Sequence, residues 1–209
     1  MRIALIHAVR VAMQPVEDAF ARHWPDAERV NLLDDSLSPD RERDGVLTAA
    51  MSRRLATLAE YALDGGASGI LYTCSAFGEA IQAVKESARV PVLKPNEAMF
   101  LEAARHGKQV GMLATFAPSV ASMEEEYREF GGALETICVP EAMAALKKGD
   151  GATHDRLLAA AAPRLQGCDA IMLAHFSTAR AREAVSAAVR CPVLTAPDAA
   201  VLRLKSLVS

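Results

Sequence analysis

The chain has 209 residues, 51% of them apolar and 23% charged, with a formal net charge of −3. That is enough to bury a sizeable core, as one large domain or two small ones, in the ordinary balance of a globular protein. Mild acidity excludes the basic footprint of a nucleic-acid binder or a polybasic membrane patch, and 5% aromatics leave no base-stacking platform.

The opening MRIALIHAVRVAM lacks the longer apolar core and small-residue cleavage pattern of a signal peptide, so it reads as a first strand. No apolar stretch approaches the roughly 18 residues of a membrane span. Short apolar runs then alternate with helical patterns, the signature of βαβ units and a parallel sheet. The spacing predicts strands at Ile3–His7, Arg29–Leu33, Gly69–Thr73 and Val92–Leu93, then Val110–Ala114, Leu134–Val139, Ala170–Ala174 and Val193–Thr195. Helices are expected at Gln14–Trp24, Val46–Asp64, Phe77–Ser87, Ala98–His106, Ser119–Phe130, Asp155–Gln166 and Thr178–Val189, with a last one from Asp198. Gly65-Gly66, Gly107 and Gly131-Gly132 supply helix stops.

The last third repeats the middle. Gly66–Met99 aligns without a gap on Gly167–Ala200, and Gly66, Ile70, Ala80, Ala83, Val84, Arg89, Pro91, Val92, Leu93 and Ala98 all recur. The first strands match as well, MRIALIHAVRVAM against KQVGMLATFAPSV. Such a repeat dictates architecture. It predicts an α/β fold of two pseudo-symmetric parallel-sheet halves with the site in the cleft between them. The first half should run over 1–98 with the tail 196–209 packing back on it, and the second over 99–195.

The repeat sets Cys74 opposite His175, a thiol against an imidazole in an otherwise repeated frame. Ligands of open parallel sheets bind at the carboxyl ends of the strands, here His7–Arg10, Cys74–Phe77, Lys94–Glu97, Thr115–Ser119 and His175–Thr178. Cys74 stands at the mouth of a helix, where free N–H groups favour a thiolate and a bound carboxylate; its blander reading is a small buried hydrophobe. Backbone N–H groups around Ser75, Ala76 and Phe77, and around Phe176, Ser177 and Thr178, would make two anion nests. The Thr115 and Ser119 hydroxyls add donors, and His7 and Arg10 occupy the matching loop of the first half. Ser177 or Thr178 could cap the next helix. His23, His106 and His154 fall on helix ends or faces. Cys138, Cys168 and Cys191 have no paired spacing and read as buried free thiols of a cytoplasmic protein. No HxH, HExxH or paired-cysteine motif supports a metal site.

Three segments, TCSAFG (Thr73–Gly78), ATFAPS (Ala114–Ser119) and LAHFST (Leu173–Thr178), resemble the aspartate/glutamate racemase superfamily. That superfamily holds glutamate, aspartate and hydantoin racemases, maleate isomerase and arylmalonate decarboxylase, and the resemblance covers essentially the whole chain. It implies two α/β halves with substrate between them, no cofactor, and a cysteine after each of two equivalent strands. Cys74 matches the first cysteine; His175 stands in place of the second. Ser75 falls where the family holds the substrate carboxylate, and Thr115 on the family's middle-loop threonine.

Racemisation needs a base on one face of a carbon and an acid on the other. An ordinary thiol is only about 3% ionised at pH 7, and a neighbouring imidazolium would raise that fraction. The expected activity is cofactor-independent proton transfer at the carbon alpha to a carboxylate of a small amino or dicarboxylic acid. The alternatives are an isomerase or decarboxylase using Cys74 with His175 as helper, and a two-lobed carboxylate-binding protein without catalysis. The expected partner is a small carboxylate, with no nucleic acid or membrane, and assembly as a homo-oligomer is left open.

Overall fold

The computed structural model describes residues 1–209. The chain divides into two compact units, one of Met1–Glu97 with Ala200–Ser209 and the other of Ala98–Ala199.

The first unit contains β1 (Arg2–His7), α1 (Met13–His23), β2 (Glu28–Leu33), α2 (Leu37–Asp44), α3 (Ala49–Asp64), β3 (Gly69–Tyr72), α4 (Gly78–Ser87) and β4 (Val92–Leu93). Its four strands are parallel in the order β2-β1-β3-β4. Ile3–Ile6 and Gly69–Tyr72 are buried throughout, as expected of central strands covered on both faces, whereas the edge strand β2 is half-exposed. Ile6, Ile70 and Tyr72 pack with Met51 and Leu55 of α3 and Ile81 and Val84 of α4. The Tyr72 hydroxyl donates to the Leu55 carbonyl at 2.9 Å and pins α3 to the sheet.

The second unit repeats this order. It holds α5 (Glu97–His106), β5 (Gln109–Ala114), α6 (Val120–Arg128), β6 (Ala133–Cys138), α7 (Pro140–Lys147), α8 (Gly151–Ala161), β7 (Ala170–Leu173), α9 (Arg182–Ala188), β8 (Val193–Thr195) and the start of α10 (Ala196–Val208). Its parallel sheet runs β6-β5-β7-β8, the repeat image of the first. Leu113, Ile171, Leu173 and Val193 pack with Leu158, Leu165 and Val185. Phe100, Tyr127 and Phe130 form an aromatic cluster, Phe100 meeting Tyr127 edge-on at 5.5 Å.

The last residues of α10 return to the first unit, where Lys205 donates to the His23 carbonyl at 3.0 Å. A Cβ on Gly69 would lie 3.1 Å from the Leu204 side chain and 3.2 Å from Val208. Glycine thus lets the final helix sit against the start of β3. No helix is long and apolar enough to cross a membrane.

The strands fall within a residue of the spacing-based positions, but two helices, α2 and α7, have no counterpart in that reading. LSPDRERD buries only Leu37 and PEAMAALK only Ala142, so neither carries the apolar stripe that reveals a helix. Ion pairs tie α2 down: Arg54 of α3 meets Asp34 at 2.6 Å and Asp40 at 2.7 Å. Gly151–Ala161 starts earlier than expected, which places His154 inside α8, fully buried with Nδ1 2.7 Å from Asp155.

Candidate functional site

In each sheet, the loops at the carboxyl end carry the residues singled out by sequence. Leu113 pairs with Leu173, and Thr115 and His175 follow two residues later, just past the carboxyl ends of the neighbouring strands β5 and β7.

His175 follows β7 with φ 73° and ψ 144°, and no other non-glycine residue has a positive φ. That region is populated essentially by glycine alone and costs on the order of 1–3 kcal/mol, a load that surrounding structure must hold in place. Thr178 supplies part of that hold. Its hydroxyl lies on the carbonyls of Ala174 and His175, the latter at 2.7 Å, and its N–H donates to His175 O at 3.2 Å.

The ring of His175 is equally fixed. Ser119 Oγ lies 2.8 Å from His175 Nε2 and 2.9 Å from the Phe116 carbonyl. A carbonyl only accepts; with the serine proton on the Phe116 carbonyl, Nε2–H donates to Ser119. The tautomer is therefore Nε2–H, and Nδ1 carries a bare lone pair. Nδ1 is buried and has no hydrogen-bond partner. Burial pushes the imidazole down to about 4, partly offset by the Ala174 carbonyl, so the ring is neutral at pH 7. Thr115 Oγ1 is likewise buried and unpartnered.

Cys74 follows β3 and leads into a 3₁₀ turn, Ser75–Phe77, before α4. Burial raises its thiol above the ordinary value, and the Ala76 N–H offsets this only in part. The expectation of a thiolate favoured by the helix mouth and a nearby imidazolium is thus corrected on both counts. Desolvation outweighs one N–H at a 3₁₀ turn, and the imidazole carries no charge.

Other expected residues have structural engagements. His7 is fully buried, with Nδ1 2.9 Å from Thr73 Oγ1 and Nε2 2.8 Å from Asn31 Oδ1. Asn31 in turn donates to Glu17 at 2.8 Å. Both ring nitrogens of His7 are occupied, so it fixes the strand end before Cys74 and has no free atom for substrate. Arg10 is exposed and paired with Asp35 at 2.7 Å. The Phe77 and Phe176 rings are fully buried, leaving only their backbone for a ligand. Ser75 and Ala76 are half-buried, and the Ala76 carbonyl accepts from Arg41 at 3.4 Å. The expected second helix mouth also differs: Phe176–Ala181 is a 3₁₀ stretch, and α9 begins only at Arg182. Ser177 and Thr178 are buried, neither caps a helix, and Thr178 N–H is already used, so the second anion nest is not built as expected.

The four cysteines are free and half-buried, not fully buried. No group of three or more His, Cys, Asp or Glu side chains could hold a metal ion. Sequence reading missed the Glu17–Asn31–His7–Thr73 chain, whose only signal is a polar residue inside the edge strand. It gave no individual role to Asn96, which lies within the strand-end loop Lys94–Glu97 and is buried.

A comparison with protein families matches residues 11–137, more than half of the chain, to the Asp/Glu/hydantoin racemase model. The chain belongs to that family. Solved structures show the same two-halved α/β fold over the full length. Allantoin racemase from Klebsiella pneumoniae superposes with a TM-score of 0.79 at 19% identity, covering 100% of this chain and 87% of that one. Aspartate racemase of Picrophilus torridus gives 0.73 at 16% identity, with 99% and 94% covered. Unliganded arylmalonate decarboxylase gives 0.68 at 17% identity, with 100% and 92% covered. A comparison with curated protein sequences gives no match.

Proposed function

We propose that this protein is a cofactor-independent racemase acting at the carbon alpha to a carboxylate of a small amino or dicarboxylic acid, with Cys74 and His175 as its two proton-transfer groups. The observation that carries the reading is the bare Nδ1 of His175, a buried base with no internal partner, held at a backbone geometry that costs energy. Membership of the racemase family supports it. Thr115 Oγ1, Ser75 and the N–H groups of the Ser75–Phe77 turn would hold the carboxylate. The substrate is the only partner proposed, and the work is that of a soluble cytoplasmic enzyme.

At neutral pH the resting pair is a protonated thiol and a neutral imidazole, one acid and one base. His175 Nδ1 takes the proton as the Cα–H bond breaks, and its electron pair moves onto the carboxylate as an enediolate. Cys74 gives its proton to the opposite face, forming the new C–H bond and leaving a thiolate. Return of the imidazolium proton to the thiolate restores the resting state. An anionic substrate favours this transfer by drawing the imidazole upward from its low resting value. The test is deuterium wash-in: solvent label should enter the product at the chiral carbon, and Cys74→Ser should abolish it. Absence of exchange across amino and dicarboxylic acids would sink the proposal.

A second reading draws on the same protonated thiol. A decarboxylase also needs an acid to protonate a carbanion, and Cys74 as it stands is such an acid. Carbon dioxide release from a substituted malonate, without exchange at Cα of the product, would favour it.

A further inference from the structure

The 3₁₀ stretch Phe176–Ala181 that follows His175 is tied down at its far end by the start of α8. Arg180 sets its Nε 3.0 Å from Asp155 Oδ1 and 3.2 Å from Oδ2. Asp155 Oδ1 also accepts from Nδ1 of the fully buried His154 at 2.7 Å, which fixes the carboxylate. A Cβ on Gly151, the first residue of α8, would overlap the Arg180 guanidinium. The guanidinium thus occupies the space that any side chain at 151 would fill. Arg180 is 44% exposed, and an ion pair so wet adds little to global stability, so its effect is local.

The tie falls where the backbone needs one. Runs of 3₁₀ geometry beyond three or four residues are uncommon, and this one has six. It starts directly after His175, whose φ of 73° has to be imposed by the surrounding structure. In the first unit the matching stretch is only three residues, Ser75–Phe77, α4 begins at once at Gly78, and Cys74 is extended with φ −123° and ψ 120°. There the repeat puts Glu79 at the place of Arg180, so the guanidinium belongs to the imidazole half alone. Without it, residues 176–181 could wind into α9 as the thiol loop winds into α4, and His175 could relax to the geometry of Cys74.

We infer that Arg180 is a positioning residue for His175, its guanidinium seated on Gly151 and Asp155 so that the start of α8 holds the 3₁₀ stretch and keeps the imidazole on Ser119. The catalytic consequence rests on the racemase reading; the structural one does not. Arg180 acts through the backbone and touches no reacting atom. Its loss should therefore slow proton transfer and leave substrate binding nearly intact, because a displaced imidazole sits at the wrong distance and angle from the carbon.

The test compares the full chain with Gly151→Ala, Arg180→Met and the double variant. Gly151 has no positive φ and alanine is the better helix former, so Gly151→Ala displaces the guanidinium while the chain should melt at the native temperature or higher. In each single variant kcat for isotope exchange should fall about tenfold or more, with KM changed by less than about twofold. The double variant should be no slower than Arg180→Met alone, because both changes break one contact. NMR of ¹⁵N-labelled histidine, with His175 assigned from its loss in His175→Asn, reads the ring directly. The native chain should show one tautomer, Nε2–H, and the variants a mixture. Unaltered His175 signals in both single variants would overturn the inference, whatever the rates. Losses that add in the double variant, or a raised KM with kcat intact, would overturn it too. Mixed tautomers in the variants of a chain that exchanges no proton would uphold the positioning role while the racemase reading falls.

Discussion

Ser119 decides which nitrogen of His175 carries the proton. Its oxygen lies 2.9 Å from the Phe116 carbonyl and 2.8 Å from Nε2; with its proton on the carbonyl it accepts from Nε2–H and leaves Nδ1 bare. Removing that acceptor frees the ring to rotate and to change tautomer. Ser119→Ala should lower kcat for isotope exchange by about tenfold, with little change in KM. The loss of two hydrogen bonds should reduce stability by only about 1–2 kcal/mol. Equal exchange rates in the two proteins would show that the serine does not set the tautomer.

His175→Gly should separate stability from activity. Glycine accepts φ 73° at no steric cost, which returns on the order of 1–3 kcal/mol, offset in part by the lost Nε2–H bond and side-chain packing. The variant should unfold at the same denaturant concentration as the native chain, or higher, and catalyse no exchange. A steep loss of stability would mean that the ring, and not the reaction, is what the backbone geometry serves.

Acid should weaken the fold through the same residue. The imidazole titrates near 4 when folded and near 6.5 when unfolded, so between those values the unfolded chain binds the extra proton. The stability is fully present above about pH 6.5 and is lost progressively as pH falls to about 4, to a total of roughly 3 kcal/mol. Denaturant melts of the native chain and His175→Asn over that window should differ in slope, the native chain being the steeper. Parallel slopes would place the acid sensitivity elsewhere.

Cys74 should resist alkylation at pH 7. With its thiol raised above an ordinary cysteine, iodoacetamide labelling should keep climbing with pH beyond the point at which an ordinary cysteine levels off. Mass mapping separates it from the other three cysteines. A plateau below pH 8 would mean an activated thiolate after all.

Cys74→Ser should abolish racemisation in both directions, because a hydroxyl is far too weak an acid to replace the thiol. The two enantiomers of the native enzyme should exchange at different rates. One direction starts from the resting thiol and imidazole; the other needs the less populated thiolate and imidazolium. Identical exchange from both would argue against an unlike pair.

The α/β class, the eight strands and the duplication were legible because burial on both faces of a parallel sheet writes long apolar runs, and because both units repeat one strand order. Cys74 and His175 stood out as the unlike members of that repeat. The helices α2 and α7 did not, since they bury one residue each and α2 depends on Arg54, distant in sequence, for its ion pairs. Charge state was also beyond the sequence. A thiol at a helix mouth and an imidazole in the repeat frame suggest an activated ion pair, yet desolvation leaves both groups neutral. The same limit hid His7, whose two nitrogens are consumed by Asn31 and Thr73, and Asn96, whose two amide atoms meet nothing. Residue types and periodicity determine which chain segments become strands and which loops share a sheet edge. Only tertiary packing decides which polar atoms lose their water and which of those find a partner, and that difference separates a structural side chain from one left free for substrate.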